Sequence, residues 1–290
     1  MPYHKLVGKN MNGNTKKPTD KIVWYAFLLV SFFLYFSGIV SLYTFFRKKV
    51  LKHYRRIILV YHEIGKQGTG AKYAVSKENF EKHMDYIKRS FSTVSLDTFF
   101  EMSEGNPNVT TDSVTITFDD GFKDNFLNAY PVLKKYQLRA TIFLISGWIV
   151  HKNDMLNLQE IKIMERDGID FGSHTVNHRV LSGLDSTSAN DEICRSKTEL
   201  EALLKKEMRY FAYPYGKKQH FTEETKAMVK QAGYKAAFTT ENQEINMHSD
   251  QFELGRFCIR DYPLYAFKTR LSGIFEIKYV FAIRKCIKRR

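Results

Sequence analysis

Six short apolar runs, four of them finishing in titratable or turn-forming residues, limit what this chain can fold into more than any other feature. They are IILVYH (57–62), SVTITFDD (113–120), ATIFLI (140–145), IDFGSH (169–174), YFAYPY (210–215) and KAAFTT (235–240). β-Branched and aromatic residues at this density predict strands, and near-continuous apolar strands predict a sheet covered on both faces. Between them, 76–89, 125–136, 157–167, 187–205 and 222–232 show helical spacing, several opening on a Ser, Thr or Asn of capping type. The pattern is a βα repeat, and it predicts an α/β fold, either a barrel or a doubly wound sheet. Both architectures gather reactive groups at the carboxyl ends of the strands. Here His62, the pair Asp119 and Asp120, His174, and Tyr213 to Tyr215 stand at those ends.

Before the first strand, residues 22–46 read IVWYAFLLVSFFLYFSGIVSLYTFF, without a charge and bracketed by Lys21 and Arg47-Lys48-Lys49. A hydrocarbon core needs about 20 apolar residues, so this run predicts one uncleaved transmembrane helix. Basic residues flank it on both sides, and the positive-inside rule leans only slightly toward a cytoplasmic main domain. The expected organisation is a basic tail over 1–21, an anchor over 22–46, a basic juxtamembrane segment over 47–56, the main domain over 57–270, and a basic, amphipathic tail over 271–290. A single-pass protein of a bacterial cytoplasmic membrane follows as the expected location. The 290 residues carry a formal net charge of +14 and are 43% hydrophobic, which excludes an acidic disordered chain and favours anionic surroundings. Three widely spaced cysteines, Cys194, Cys258 and Cys286, form neither a disulfide framework nor a metal-binding motif.

The chemistry concentrates in two motifs. In Thr117-Phe118-Asp119-Asp120-Gly121 two carboxylates stand side by side where a strand ends, and Gly121 permits a sharp turn toward one pocket. Adjacent buried carboxylates repel unless a cation or a proton intervenes. In Ser173-His174-Thr175-Val176-Asn177-His178 two imidazoles are four residues apart, which on a helical turn faces them the same way. One carboxylate with two histidines leaves coordination positions open for water and substrate, as a catalytic cation site requires.

TFDDG, HTVNH and YPYG, in this order and on alternating strands, resemble the polysaccharide deacetylases, the family with a NodB-homology domain. The resemblance covers about 57 to 271. It implies a distorted (β/α)7 barrel, here preceded by the expected transmembrane helix, and hydrolysis of an N-acetyl or O-acetyl group on a sugar. It also implies Asp119 as the base, and Asp120, His174 and His178 as ligands of zinc or a similar divalent cation. The backbone N–H of Tyr215 would then face the oxyanion, with Tyr213, Pro214 and His62 lining the pocket.

The chain departs from the family pattern in two places. Ala212 stands where the family carries an arginine that holds the base; Arg256, in Glu253-Leu254-Gly255-Arg256, is the candidate to replace it. The later motif that supplies a general acid is not plainly present, and His248 is the nearest match. The expected partners are an acetylated glycan or glycolipid and a membrane. Nucleic acid is not expected, because the charge is concentrated beside the anchor and at the tail and no recognition motif is visible. The alternative is a barrel that binds glycan or metal without turnover.

Overall fold

The computed structural model describes residues 18–65, 72–102, 110–149, 151–245 and 249–276, and they form two compact units. The larger unit is Lys52–Tyr262. The smaller joins the described residues before 52 to those after 262. The last helix groups with the N-terminal ones.

Eight strands build the larger unit: β1 (Arg56–Tyr61), β2 (Ser92–Thr93), β3 (Ser113–Phe118), β4 (Thr141–Leu144), β5 (Asp170–Ser173), β6 (Tyr210–Ala212), β7 (Ala236–Phe238) and β8 (Phe257–Cys258). Their order is β7-β6-β5-β4-β3-β1-β8, with β2 paired to the start of β3, and every pairing is parallel. Ile57 to Tyr61 are at most 1% exposed, the burial that near-continuous apolar strands require. All six expected strands are present, and those that carry a polar end stop just before it. His62, Asp119, Asp120 and His174 thus lie immediately beyond the ladders.

The sheet curls until one segment touches both of its edges. Leu254 bridges Phe238 of β7, with the Leu254 N–H donating to the Ala237 carbonyl at 3.0 Å. Three residues later Phe257 pairs with Leu59 of β1. The expected distorted barrel takes the form of a curled parallel sheet spanned at its opening by 254–258.

The helices are α1 (Pro18–Phe36), α2 (Ile39–Phe45), α3 (Lys77–Ser90), α4 (Leu96–Glu101), α5 (Tyr130–Lys135), α6 (Leu158–Arg166), α7 (Ser186–Leu204), α8 (Glu223–Gln231) and α9 (Leu264–Ser272). Capping residues set several of their starts. The Ser76 and Thr222 side chains accept from the third amide of α3 and α8, and Asn157 and Glu160 form a reciprocal capping box on α6. The helix expected over 125–136 divides into a wide turn, Asn125–Ala129, and α5.

In the smaller unit the expected single transmembrane helix is corrected. α1 stops at Phe36, where the Gly38 N–H donates to the Tyr35 carbonyl at 3.1 Å and Gly38 takes φ 78. A left-handed glycine ends a helix because it alone adopts that conformation without a Cβ clash. α2 and the turn Phe46–Val50 then depart at 69°. No single helix among the described residues is long and apolar enough to cross a membrane; Asp20–Phe36 and Ile39–Val50 meet that length and composition only together. Most of both expected tails, 1–17 and 277–290, lies outside the described residues.

Candidate active site

Asp119 and Asp120 leave β3 through two consecutive left-handed residues, Asp120 at φ 73 and Gly121 at φ 74. Gly121 also lies against β4, where an added Cβ would come within 2.7 Å of Leu144 Cδ2. The turn sends the two carboxylates to different partners. Asp119 meets Arg256, whose Nη1 and Nη2 donate to Oδ1 and Oδ2 at 2.7 Å each. The guanidinium is held in turn by the Thr239 carbonyl (3.0 Å) and Thr117 Oγ1 (3.2 Å). Neither partner reaches solvent, with side-chain exposures of 0% and 2%. Arg256, expected to stand in for the arginine missing at Ala212, thus pairs with Asp119 from the segment that spans the sheet opening.

Asp120 faces the histidines instead. Its Oδ1 lies 3.5 Å from His174 Nε2 and 3.3 Å from His178 Nε2, buried and without a hydrogen-bond partner. The three candidate ligand atoms lie within 4.8 Å of one another. His174 Nδ1 is 2.7 Å from the Ala212 carbonyl and must donate to it, which leaves the Nε2 lone pair aimed at Asp120. A buried anionic oxygen with no donor, beside two imidazole nitrogens, is the donor set a divalent cation takes.

The histidines converge by a route that the spacing did not indicate. HTVNH is a loop, not a helical turn. Thr175 at φ 67 and His178 at φ 58 bend it back, and the His178 N–H donates to Thr175 Oγ1 at 3.0 Å. Glu192 of α7, 2% exposed, clamps the loop, accepting from the Val176 N–H (3.0 Å), the Asn177 N–H (2.8 Å) and Asn177 Nδ2 (2.8 Å). Of the seven non-glycine residues at positive φ among those described, four surround this site: Asp120, Thr175, His178 and Tyr215. Such strain persists only where neighbouring contacts enforce it, and it collects at functional sites.

Electrostatics separates the roles further. Burial alone would raise the Asp119 carboxyl, but Arg256, His174 and His62 outweigh it and hold Asp119 below its ordinary range. Asp120 is likewise depressed against its burial, by His178, His174 and His62. Burial pulls His178 down to about 4, so it is neutral and able to ligate. His174 is held up, despite burial, by the two carboxylates.

The remaining expected residues divide. His62 lies at the site, its ring stacked on Tyr73 at 5.2 Å and its Nδ1 buried without a partner. Tyr215 brings its ring within 4.7 Å of the His178 ring. Tyr213 corrects the pocket-lining expectation: it is fully buried, stacked on Phe221 at 4.4 Å, with its hydroxyl donating to the Phe252 carbonyl. It supports the turn from beneath, and Pro214 is buried with it. His248 lies outside the described residues. Two residues escaped sequence reasoning. Glu192 sits in a helix whose sequence gives no sign of what it grips. Trp148, with its ring 5.8 Å from that of His178, lies four residues beyond β4, whose run ends in no polar residue to point to it.

Known proteins similar to this chain are named as deacetylases. The family description "Polysaccharide deacetylase" matches residues 106–237, which include all four carboxylate and histidine residues. The chain is 33% identical over 200 residues to "Putative polysaccharide deacetylase YxkH" of Bacillus subtilis (strain 168), covering 69% of each chain. It is 28% identical over 221 residues to poly-beta-1,6-N-acetyl-D-glucosamine N-deacetylase of Staphylococcus aureus, covering 70% of this chain and 74% of that one. In structure it is similar to the Streptococcus pyogenes deacetylase PplD in complex with acetate, at TM-score 0.66 and 27% identity, over 71% of this chain and 92% of that one. Fold, site and relatives agree: the chain belongs to the polysaccharide deacetylase family.

Proposed function

We propose that this protein is a metal-dependent N-deacetylase acting on an N-acetylated sugar of a polysaccharide or lipid-linked glycan at a membrane. The observation that carries the reading is the division of labour between adjacent carboxylates, with Asp119 locked to Arg256 and Asp120 turned to two imidazoles. A single buried anion-binding or structural cation site would not need both.

Asp120, His174 and His178 would hold the cation, zinc or a similar ion, which when bound acidifies water and polarises the acetyl carbonyl. Asp119, kept ionised by Arg256, accepts a proton from the attacking water. The water oxygen adds to the acetyl carbon, and the Tyr215 N–H is the proposed donor to the oxyanion that develops. The carbon–nitrogen bond then breaks, and the leaving nitrogen takes a proton to become a free amine. His62 is the imidazole at the site that the ligand set does not use, and it is the proposed source of that proton. The rings of Trp148 and Tyr215, both beside His178, provide apolar faces suited to a sugar ring.

The test is acetate release from N-acetylated oligosaccharides, beginning with the β-1,6-linked N-acetylglucosamine polymer named for the Staphylococcus aureus relatives. Release should require a divalent cation and be lost in Asp119→Asn. No acetate from a broad panel of N- and O-acetylated glycans would leave the alternative, a barrel that binds without turnover. Arg256 weakens that alternative, because the missing family arginine was its main support. Attachment to a membrane is supported by the apolar residues of 22–50, many of which are exposed.

A further inference from the structure

The apolar run is covered on one side only. Along α1 the stripe Trp24, Phe27, Leu28, Ser31, Leu34 and Tyr35 is buried or half-buried at helical spacing. The opposite face is bare: Ile22, Leu29, Phe33 and Phe36 are 58–66% exposed, and Leu42 of α2 is 70% exposed. Monomeric soluble proteins rarely leave so continuous an apolar face uncovered.

α9 covers the inner stripe. Thr269 Oγ1 lies 3.4 Å from the Ser31 carbonyl, and Lys268 Nζ donates to the Tyr35 hydroxyl (3.2 Å). The rings of Tyr265 and Phe275 lie 5.7 and 5.4 Å from those of Phe32 and Phe27. α9 thus runs antiparallel to α1, alongside Phe36 back to Phe27, and brings Lys268 and the Arg270–Glu276 ion pair (2.6 Å) with it. If α1 crossed a bilayer, its Phe27–Phe36 portion would lie in hydrocarbon and carry those charges to the same depth, where they are strongly disfavoured. A helix lying in the interface buries only its outer face and leaves its partner among the headgroups. The 69° bend also prevents α1 and Ile39–Val50 from sharing one membrane normal.

We propose that the outer face of α1 and α2 docks on one leaflet of an anionic membrane, in the plane and without crossing it. Lipid is the occupant because Lys21 precedes this face and Lys48 and Lys49 follow it. Anionic headgroups complement these cations, whereas a second copy packed face to face would set cation against cation. The proposal rests on the membrane attachment inferred above and sharpens it from spanning to one-sided.

The test uses the full chain made in cells, with Cys194, Cys258 and Cys286 changed to serine and single cysteines introduced as Asn14→Cys or Lys52→Cys. An impermeant maleimide applied to sealed spheroplasts should label both sites or neither, because both ends of the segment lie on one side. Labelling of only one site overturns the in-plane arrangement and restores a span. Recovery of the chain in the soluble fraction overturns both this arrangement and the membrane attachment. In a second arm, the purified chain should sediment with phosphatidylglycerol vesicles, less so at high salt, and Phe33→Asp with Leu42→Asp should abolish sedimentation. Unchanged sedimentation of that variant, or cysteine cross-linking between copies through Phe33→Cys without vesicle binding, also overturns the proposal. Acetate release from a soluble acetylated oligosaccharide should be the same in both forms, which separates failure here from failure of the deacetylase reading.

Discussion

Arg256 grips Asp119 with both terminal nitrogens, oxygen by oxygen, inside a pocket that water does not reach. Removing one member of such a pair strands the other charge, at a cost of about 3–5 kcal/mol. Arg256→Gln should therefore lower thermal stability. It should also move the acidic limb of the kcat/KM profile to higher pH, since burial, now unopposed by the arginine, raises the Asp119 carboxyl and the base ionises later. KM should change less than kcat, because Arg256 supports the base and does not touch substrate. An acidic limb identical to that of the unaltered protein would remove Arg256 from the mechanism.

A cation bound by Asp120, His174 and His178 should stabilise the fold as well as enable turnover. At a concentration of a hundred times its dissociation constant, a ligand specific to the folded state adds about 2.7 kcal/mol. For a domain of this size that is a rise of roughly 5–10 °C in Tm. Calorimetry after chelation and again after adding zinc, cobalt or nickel should show the rise in the unaltered protein and its absence in Asp120→Ala. Equal midpoints with and without cation would count against the ligand set.

Glu192 is buried outside the proposed ligand set, yet it holds the loop that carries both histidines. Outer partners of metal ligands typically change affinity by about 10–100-fold. Glu192→Ala should raise the cation concentration needed for half-maximal thermal stabilisation by about that factor, with activity recovering at saturating cation. Glu192→Gln, which keeps one acceptor oxygen, should fall between. Loss of stability with unchanged cation affinity would reduce Glu192 to a helix residue.

His83 gives a pH dependence independent of the active site. It is fully buried, with Nε2 2.8 Å from the Tyr262 carbonyl, and burial lowers it from 6.5 to about 4. Because the folded state binds its proton later than the unfolded chain, stability is fully present above the unfolded value and is lost as pH falls toward 4. The loss amounts to about 3 kcal/mol. Calorimetric unfolding between pH 7 and 4 should show this decline, and His83→Gln, which preserves the donor to Tyr262, should flatten it. Parallel curves for the two proteins would refute the assignment.

Sequence reasoning succeeded where a segment's chemistry was local. Each apolar run became a strand because burial on both faces demands it, and the polar residues at the strand ends marked the site. It failed where geometry depended on a distant element or a single residue. β2 and β8 have two residues each, too few for a pattern, and their pairing is set by β3 and β1. One glycine among 25 uncharged residues hardly changes their mean hydropathy, yet Gly38 divides the helix. The four-residue spacing of His174 and His178 suggested a helix, but left-handed Thr175 and His178 produce the same convergence from a loop, and the Glu192 clamp cannot be read from either motif. Arg256 was within reach because Ala212 left a charge to be supplied, and few basic residues follow β7 before the last strand.

Because Arg256 lies between the two residues that touch opposite edges of the sheet, the base is the last part of the centre to be completed during synthesis. All the presumptive ligands leave the ribosome some eighty residues before Arg256 does. On the proposed reading, all the cation ligands are synthesised before the arginine that supports the base, and the centre would be complete only when the opening has been spanned.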